Sequence, residues 1–173
     1  LSRNRAMNET RLTESLDLSE QCQTYAAKRF GNPSRELAAS MSVTGIVLSR
    51  LGNFKEADSV FQNSIQTHVM SNDTLSREYS TSLFNYGKFC RERNRSSEAV
   101  SILEKIRNQH AHLFEKYPNS IRLLTSELAK AKSLNREYRE AKELFHELIS
   151  SDIVKRDTIN SYFVDALFEI GVI

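Results

Sequence analysis

Four sets of residues recur along the chain every 42 positions, and this period constrains the fold more than any other feature of the sequence. Small residues occupy one recurring position, alanines a second, large apolar residues a third and glutamates a fourth. Four series that share one period without slippage indicate tandem repeats, in which each unit packs on its neighbours. The recurring residues are Gly45, Gly87, Ala129 and Gly171; Ala57, Ala99 and Ala141; Phe61, Leu103 and Phe145; and Glu56, Glu98 and Glu140.

The spacing within a repeat predicts two helices joined by a short turn. The small residue precedes the alanine by 12 positions, and the alanine precedes the large apolar residue by four. Residues four apart share a helix face, so the last two lie side by side on the second helix. The 173 residues include only five Gly and two Pro, which favours an all-helical chain. We therefore predict an all-α superhelix, a solenoid of antiparallel helix pairs, in which the recurring residues serve packing.

Turn-forming residues suggest where the helices begin and end. Gly31 and Gly52 suit the position just after a helix, and Pro33 and Pro118 suit the first turn of one. The expected helices span residues 9–30, 34–51, 54–70, 74–93, 96–116, 119–134, 138–151 and 156–171.

The register places residues 1–173 in a single solenoid with an incomplete repeat at each end. The C-terminal residues are apolar, whereas solenoids normally end in polar caps. We therefore expect a fragment of a longer protein, with self-association through the uncapped C-terminal helix. The predicted parts are 9–30, the second helix of a partial repeat; 34–70, 74–116 and 119–151, three full repeats; and 156–173, the first helix of a truncated repeat.

The segment 41–65 resembles the tetratricopeptide repeat (TPR). It has Gly45, then Leu-Gly-Asn-Phe-Lys-Glu-Ala over 51–57, then Phe61, in the order of the TPR signature. The ordinary TPR period is 34 residues, and the longer period here is similar to that of kinesin light chains and of many bacterial signalling proteins. The resemblance covers nearly all of the chain. It departs from the signature at the tryptophan position, which holds Met41, Leu83 and Thr125.

The resemblance implies a protein–protein interaction module that binds a peptide or partner protein along a concave surface lined by the first helices. Lysine and arginine there favour an acidic peptide or a C-terminal carboxylate, although an ordinary solvated helix face explains them equally well. An aromatic anchor and an amide that bonds a peptide backbone complete the predicted site. Its residues are Ser42, Phe84, Asn85, Lys88, Arg91, Ser126 and Lys130.

Two other functions remain open for a chain of this kind, a structural segment for self-assembly and a regulatory sensor of a small signal peptide. The parent protein is expected to be a larger signalling or scaffold protein. No GxSxG, P-loop or dinucleotide-binding pattern occurs, so we expect neither an enzyme nor a cofactor. The balance of 24 basic and 22 acidic residues argues against a nucleic-acid partner, and no apolar run is long enough for membrane insertion.

The two cysteines and four histidines carry no recognisable metal or redox motif. Cys22 and Cys90 are 68 positions apart, which leaves a disulfide open but favours two buried free thiols. No HExxH is present, so no metal site is expected. Unpaired thiols and the polar N-terminal residues favour a cytoplasmic location.

Overall fold

The structure is a computed structural model that describes residues 2–114, 117–150 and 171. These residues form helices and turns and no strand, which confirms the predicted all-α class. The α-helices of the described residues are α1 (Ser2–Phe30), α2 (Arg35–Leu51), α3 (Phe54–Met70), α4 (Arg77–Glu92), α5 (Ser96–His110), α6 (Pro118–Leu134) and α7 (Tyr138–Ser150), with a 3-10 helix over Ala111–Phe114.

The chain divides into two compact units, and the division falls inside α4 between Tyr86 and Gly87. In the first unit, α1 packs against α2 and α2 packs against α3. In the second unit, α5 packs against α6 and α6 packs against α7.

The predicted helices agree with the observed ones except at some boundaries. α1 begins at Ser2 rather than at 9, and α4 begins at Arg77 rather than at 74. The helix expected over 96–116 ends at His110 and continues as the 3-10 helix Ala111–Phe114. The helix predicted over 156–171, and the C-terminal surface expected to self-associate, lie outside the described residues apart from residue 171.

A common turn follows the first helix of each repeat. Gly52, Asn94 and Arg136 are 42 positions apart, and all three have positive φ, at 86°, 59° and 66°. After each of them, a backbone N–H donates to a carbonyl five residues earlier, as in the Schellman motif. Glycine adopts the left-handed conformation without strain, whereas arginine adopts it only with strain. The same turn is therefore present even where the residue type does not favour it.

The helix starts at the two prolines differ from each other. Pro118 is in the first turn of α6, as predicted. Pro33 lies before α2 and not in its first turn, which corrects that expectation. Ser34 is the N-cap of α2 because its hydroxyl accepts a hydrogen bond from the N–H of Leu37 at 3.3 Å.

The recurring residues form a tight seam between the two helices of a repeat. A Cβ placed on Gly45 would lie 2.9 Å from Cδ1 of Phe61, and one on Gly87 would lie 3.1 Å from Cδ2 of Leu103. The glycines therefore let an aromatic or a leucine side chain approach the backbone of the first helix. The recurring residues of the second helices are at most 1% exposed: Ala57, Ala99, Ala141, Phe61, Leu103 and Phe145.

Both cysteines are free thiols. Cys90 is buried, as expected, whereas Cys22 is exposed on α1. The expectation of two buried thiols is therefore wrong for Cys22, because it lies on a face of α1 that does not contact α2.

Candidate docking surface and a buried polar network

The residues predicted to bind a partner fall in both units, and in the first unit two of them bind each other. The side-chain amide of Asn85 donates a hydrogen bond to the hydroxyl of Ser42 at 3.1 Å. Ser42 is only 2% exposed, whereas Phe84 and Asn85 are half-buried. The Ser42 hydroxyl is thus enclosed in the packed interior, and Phe84 and Asn85 retain part of their surface.

In the second unit, the predicted arginine is held in an ion pair. Nε of Arg91 lies 2.7 Å from Oε2 of Glu127, whose side chain is 6% exposed. Glu92 adds a second carboxylate at 3.6 Å from the guanidinium. Because both partners are largely withdrawn from water, removing either one would leave a partly buried charge without its partner, which costs more than the loss of an exposed pair. Arg91 therefore joins α4 to α6 rather than presenting an open cation.

The two predicted lysines lie on either side of this ion pair. Lys88 is three positions before Arg91 on α4, and Lys130 is three positions after Glu127 on α6. Residues three apart share a helix face, so both lysines lie on the sides of the helices that the ion pair joins. The Lys88 side chain is 47% exposed and its ammonium is 4.0 Å from Glu92, while Lys130 is half-buried.

The predicted residue Ser126 is fully buried on α6. It is 0% exposed and adjoins Glu127, the partner of Arg91. A hydroxyl in this position packs within the unit and does not reach the surface that carries the lysines. The predicted residues that retain accessible surface are Phe84, Asn85, Lys88, Arg91 and Lys130.

A buried network of polar groups in the first unit was not predicted from the sequence. Nδ1 of His68 lies 2.8 Å from Oδ2 of Asp73, and Nε2 lies 3.1 Å from the hydroxyl of Ser82. Arg35 donates to the other oxygen of Asp73 at 2.9 Å. The network links α2, α3, α4 and the turn before α4 through side chains with matched donors and acceptors.

The order of carboxylate, imidazole and hydroxyl is that of a nucleophilic catalytic triad. Here, however, His68 is 0% exposed and Ser82 is 2% exposed. Burial lowers the pKa of His68, although the Asp73 carboxylate acts in the opposite direction. A substrate in solvent does not reach the Ser82 hydroxyl in this arrangement, so the network stabilises the helix packing.

The second unit also holds a cation among carboxylates. Nζ of Lys132 lies 2.6 Å from Glu104 and 2.6 Å from Glu137. Burial alone would lower the pKa of Lys132, but the hydrogen bonds to these carboxylates outweigh it and leave the pKa raised. The lysine forms part of an open groove of about 300 Å³ between α5, α6 and α7. Arg107, paired with Glu147 at 2.7 Å, supplies a second cation among the four glutamates that line the groove.

The described residues contain neither a cluster of metal-ligating side chains nor a helix that could span a membrane. Within 2–114 and 117–150, no three histidine, cysteine or carboxylate side chains come together as a metal site. In the same part of the chain, no helix has the length and apolar character needed to cross a bilayer.

Comparison with solved structures identifies similar folds. The chain matches the crystal structure of nearly identical TPR-like repeats from a protein of Podosopora anserina named for a kinesin light chain, with a TM-score of 0.74 and 19% identity. The match covers 98% of this chain and 83% of the other. A variant of the same protein matches with a TM-score of 0.76 and 18% identity, over 98% of this chain and 80% of the other.

Comparison of the sequence with protein-family models and with curated proteins found no match. At the identities above, the structural likeness establishes the fold alone. The chain has a TPR-like fold, which confirms the resemblance drawn from the 42-residue period.

Proposed function

We propose that this chain is a docking module that binds a peptide or a segment of a partner protein along the first-helix face of its repeats. The observation that carries the proposal is the TPR-like fold, since the solved TPR-like repeats match 98% of the chain. Helical repeats present long surfaces to other proteins. In this chain the seam residues hold each helix pair together, so the outward-facing side chains are not needed for the packing of the seam. The proposal includes no catalytic step.

The second unit carries a charged candidate surface of its own. Its cations are Lys88, Arg91 and Lys130, and the carboxylates of Glu92 and Glu127 pair with Lys88 and Arg91. We propose that a carboxylate of the partner binds between the two lysines through charge-assisted hydrogen bonds. The Arg91–Glu127 pair would hold the two helices at the separation that the carboxylate requires.

The first unit carries a separate candidate surface with an apolar and an amide side chain. Phe84 is half-buried and offers an aromatic face as an anchor. Asn85 already donates its amide to Ser42, which leaves its carbonyl oxygen to accept a backbone N–H of the partner. Ser42 and Ser126 act through packing in this proposal, because both are buried.

The test is selection of peptides from a random display library on the whole chain, followed by titration of the selected peptide. Lys88→Glu combined with Lys130→Glu should weaken binding by at least about tenfold, since each places a like charge against the ligand carboxylate. The matched control is Lys105→Glu with Lys142→Glu, two exposed lysines on the second helices α5 and α7 of the same unit.

The control pair should bind as the unsubstituted chain does. If both double variants weaken peptide binding equally, the affinity depends on net charge alone and the proposed site is wrong. Truncation of the selected peptide separates docking of a long segment from a sensor role. Loss of affinity with each removed residue supports the extended surface, whereas full affinity in a fragment of a few residues supports a sensor of a small signal peptide.

A further inference from the structure

The open groove between α5, α6 and α7 corresponds, one period earlier, to a place that holds an aromatic pair. In the first unit, the ring centroids of Phe61 and Tyr86 are 5.9 Å apart, and Tyr86 is 5% exposed. The side-chain amide of Gln62 donates a hydrogen bond to the Tyr86 hydroxyl at 3.2 Å. These three side chains therefore fill the space between α3 and α4.

The positions 42 residues later hold smaller or charged side chains. Two leucines take the place of the two rings, a glutamate that of the glutamine, and a lysine that of a cysteine that is 0% exposed. The corresponding residues are Phe61 and Leu103, Tyr86 and Leu128, Gln62 and Glu104, and Cys90 and Lys132. Leucine has no ring to fill the space, and a groove of about 300 Å³ remains, at the lower end of the size range of ligand pockets.

The groove also holds a charge that the repeat does not need for packing. The side chain of Lys132 is 10% exposed, and its ammonium lies 2.6 Å from a carboxylate oxygen of Glu104 and 2.6 Å from one of Glu137. Withdrawing a lysine from water costs free energy that a cysteine in the equivalent position does not cost. Residues that depart at such a cost from the packing pattern of a fold are typical of functional sites.

Two of the four glutamates that line the groove pair with its cations, Lys132 and Arg107. The other two lie on α7. Glu143 is 3.3 Å from Arg139, in an ion pair whose side chains are 66% and 88% exposed. Among the ion pairs between described residues, none involves Glu140. The carboxylates of Glu140 and Glu143 are therefore accessible to a cation that enters the groove.

We propose that this groove binds an arginine side chain in an extended segment of a partner protein. Glu140 and Glu143 are three positions apart on α7, so their Cβ atoms lie about 5–6 Å apart on one face of the helix. A guanidinium carries its N–H donors in a planar fork and can donate to both carboxylates, whereas an ammonium is a compact point charge. Leu128 and Leu144 line the same groove with apolar surface, on which the aliphatic stem of the arginine packs.

The experiment titrates the whole labelled chain with a blocked pentapeptide that has an arginine between alanines. The amides around Glu140 and Glu143 should shift in a saturable manner, and added salt should weaken the binding, because opposite charges make the contact. A peptide with citrulline in place of arginine keeps the shape of the side chain, lacks its charge and should not shift these amides. Equal shifts with both peptides, or no saturable shift with the arginine peptide, would overturn the proposal.

Leu128→Tyr distinguishes binding in the groove from binding to an acidic surface. The substitution introduces the residue type that the first unit has at the equivalent position, Tyr86, and it removes no charge. Because the ring occupies the groove, the arginine peptide should bind at least about tenfold more weakly. A variant that keeps the dispersed amide spectrum of the folded chain and binds the peptide with unchanged affinity would show that the groove is not the site.

Glu140→Gln combined with Glu143→Gln tests the two carboxylates, and both side chains are exposed, so the chain should fold normally. This variant should weaken binding of the arginine peptide by at least about tenfold, because it removes both charges that hold the guanidinium. The matched control is Glu36→Gln with Glu56→Gln, two exposed glutamates of the first unit, of which Glu56 has the same repeat position as Glu140. The control should bind as the unsubstituted chain does, and an equal loss in both variants would contradict the proposed contacts.

The groove on α5 and α7 and the lysines on α4 and α6 are tested with different peptides and different variants. Binding of a carboxylate through Lys88 and Lys130 is measured separately, so the failure of either proposal leaves the other to be judged on its own result.

Discussion

Each of the two units has an apolar seam of the same kind, but the polar contacts around the seam differ between the units. Gly45 faces Phe61 in the first unit, and Gly87 faces Leu103 in the second, at the same interval. A glycine on the first helix opposite a large side chain on the second is therefore common to both. The 42-residue period thus specifies how a helix pair closes.

The polar contacts described above differ between the two units. The first unit encloses a histidine that bonds to Asp73 and Ser82, whereas the second joins α4 to α6 through Arg91 and Glu127. The histidine one period later, His110, is also buried. The repeat thus encodes the backbone arrangement, while each unit has its own polar interior and its own surface.

The largest effect should come from removing the seam side chain in either unit. Phe61→Ala should lower the free energy of unfolding by about 3–5 kcal/mol, and Leu103→Ala by about 2–5 kcal/mol, because both leave cavities. Leu75→Ala, at a residue that is 78% exposed, should stay within about 0.5 kcal/mol. Denaturant titration measures all three. A seam variant as stable as the Leu75 control would show that the seam is not the common element.

The ion pair of the second unit should come next. Glu127→Ala leaves Arg91 partly buried without its carboxylate, and should cost about 2–3 kcal/mol. Glu147→Ala breaks the ion pair of Glu147 with Arg107, in which the arginine is 35% exposed and the glutamate is 50% exposed. This variant should lower the free energy of unfolding by at most about 1 kcal/mol. The difference between the two unfolding free energies is the quantity to compare. Equal costs would contradict the structural role given to Arg91.

The buried histidine of the first unit should make stability depend on pH. Burial holds the pKa of His68 below its ordinary value of 6.5, against the attraction of Asp73 and Glu78 and together with the repulsion of Arg35. The unfolded chain therefore binds the proton first. Stability is full above pH 6.5 and falls as the pH drops below it towards the folded pKa, by at most about 1.4 kcal/mol per pH unit.

His68→Gln removes this contribution and should flatten the fall in stability between pH 7 and pH 5. Burial also lowers the pKa of His110, so His110→Gln should act in the same direction in the second unit. Unfolding at a series of pH values gives both slopes. A His68→Gln slope that matches that of the unsubstituted chain would mean that the histidine does not resist protonation.

The smallest effect concerns the turn that the repeats share. Arg136 has φ 66°, so Arg136→Gly should raise the free energy of unfolding by about 1 kcal/mol. Asn94→Gly should gain less, because asparagine tolerates the left-handed region. Arg139→Gly, in the first turn of α7, should instead lower the free energy of unfolding by at most about 1 kcal/mol, since glycine weakens a helix. A loss of stability in Arg136→Gly would contradict the strained turn.

The sequence predicted the helix pairs and the seam because these residues recur in the same environment. It did not predict the left-handed residues at 94 and 136, because only Gly52 in that series has the residue type that signals the conformation. Nor could it associate His68 with Ser82. A hydrogen bond between residues on different helices depends on how the helices pack. The 14-residue spacing of His68 and Ser82 has no relation to the 42-residue repeat that would have pointed to their contact.

For the predicted binding site, too, the sequence predicts residue positions but not side-chain contacts. The register placed Lys88 and Lys130 at equivalent positions of successive first helices, which a period alone can do. The register could not foresee that Arg91 would pair with Glu127, because the two residues are 36 positions apart and meet only after α4 packs near α6. Burial of Ser42 and Ser126 likewise depends on the side chains packed around them.

The most direct test of the docking proposal is chemical-shift mapping of the whole labelled chain during titration with a peptide selected on it. The amides around Lys88 and Lys130 should shift in a saturable manner, while those of the exposed lysines Lys105 and Lys142 on the second helices should remain in place. Shifts confined to α5 and α7, with α4 and α6 unchanged, would contradict the account.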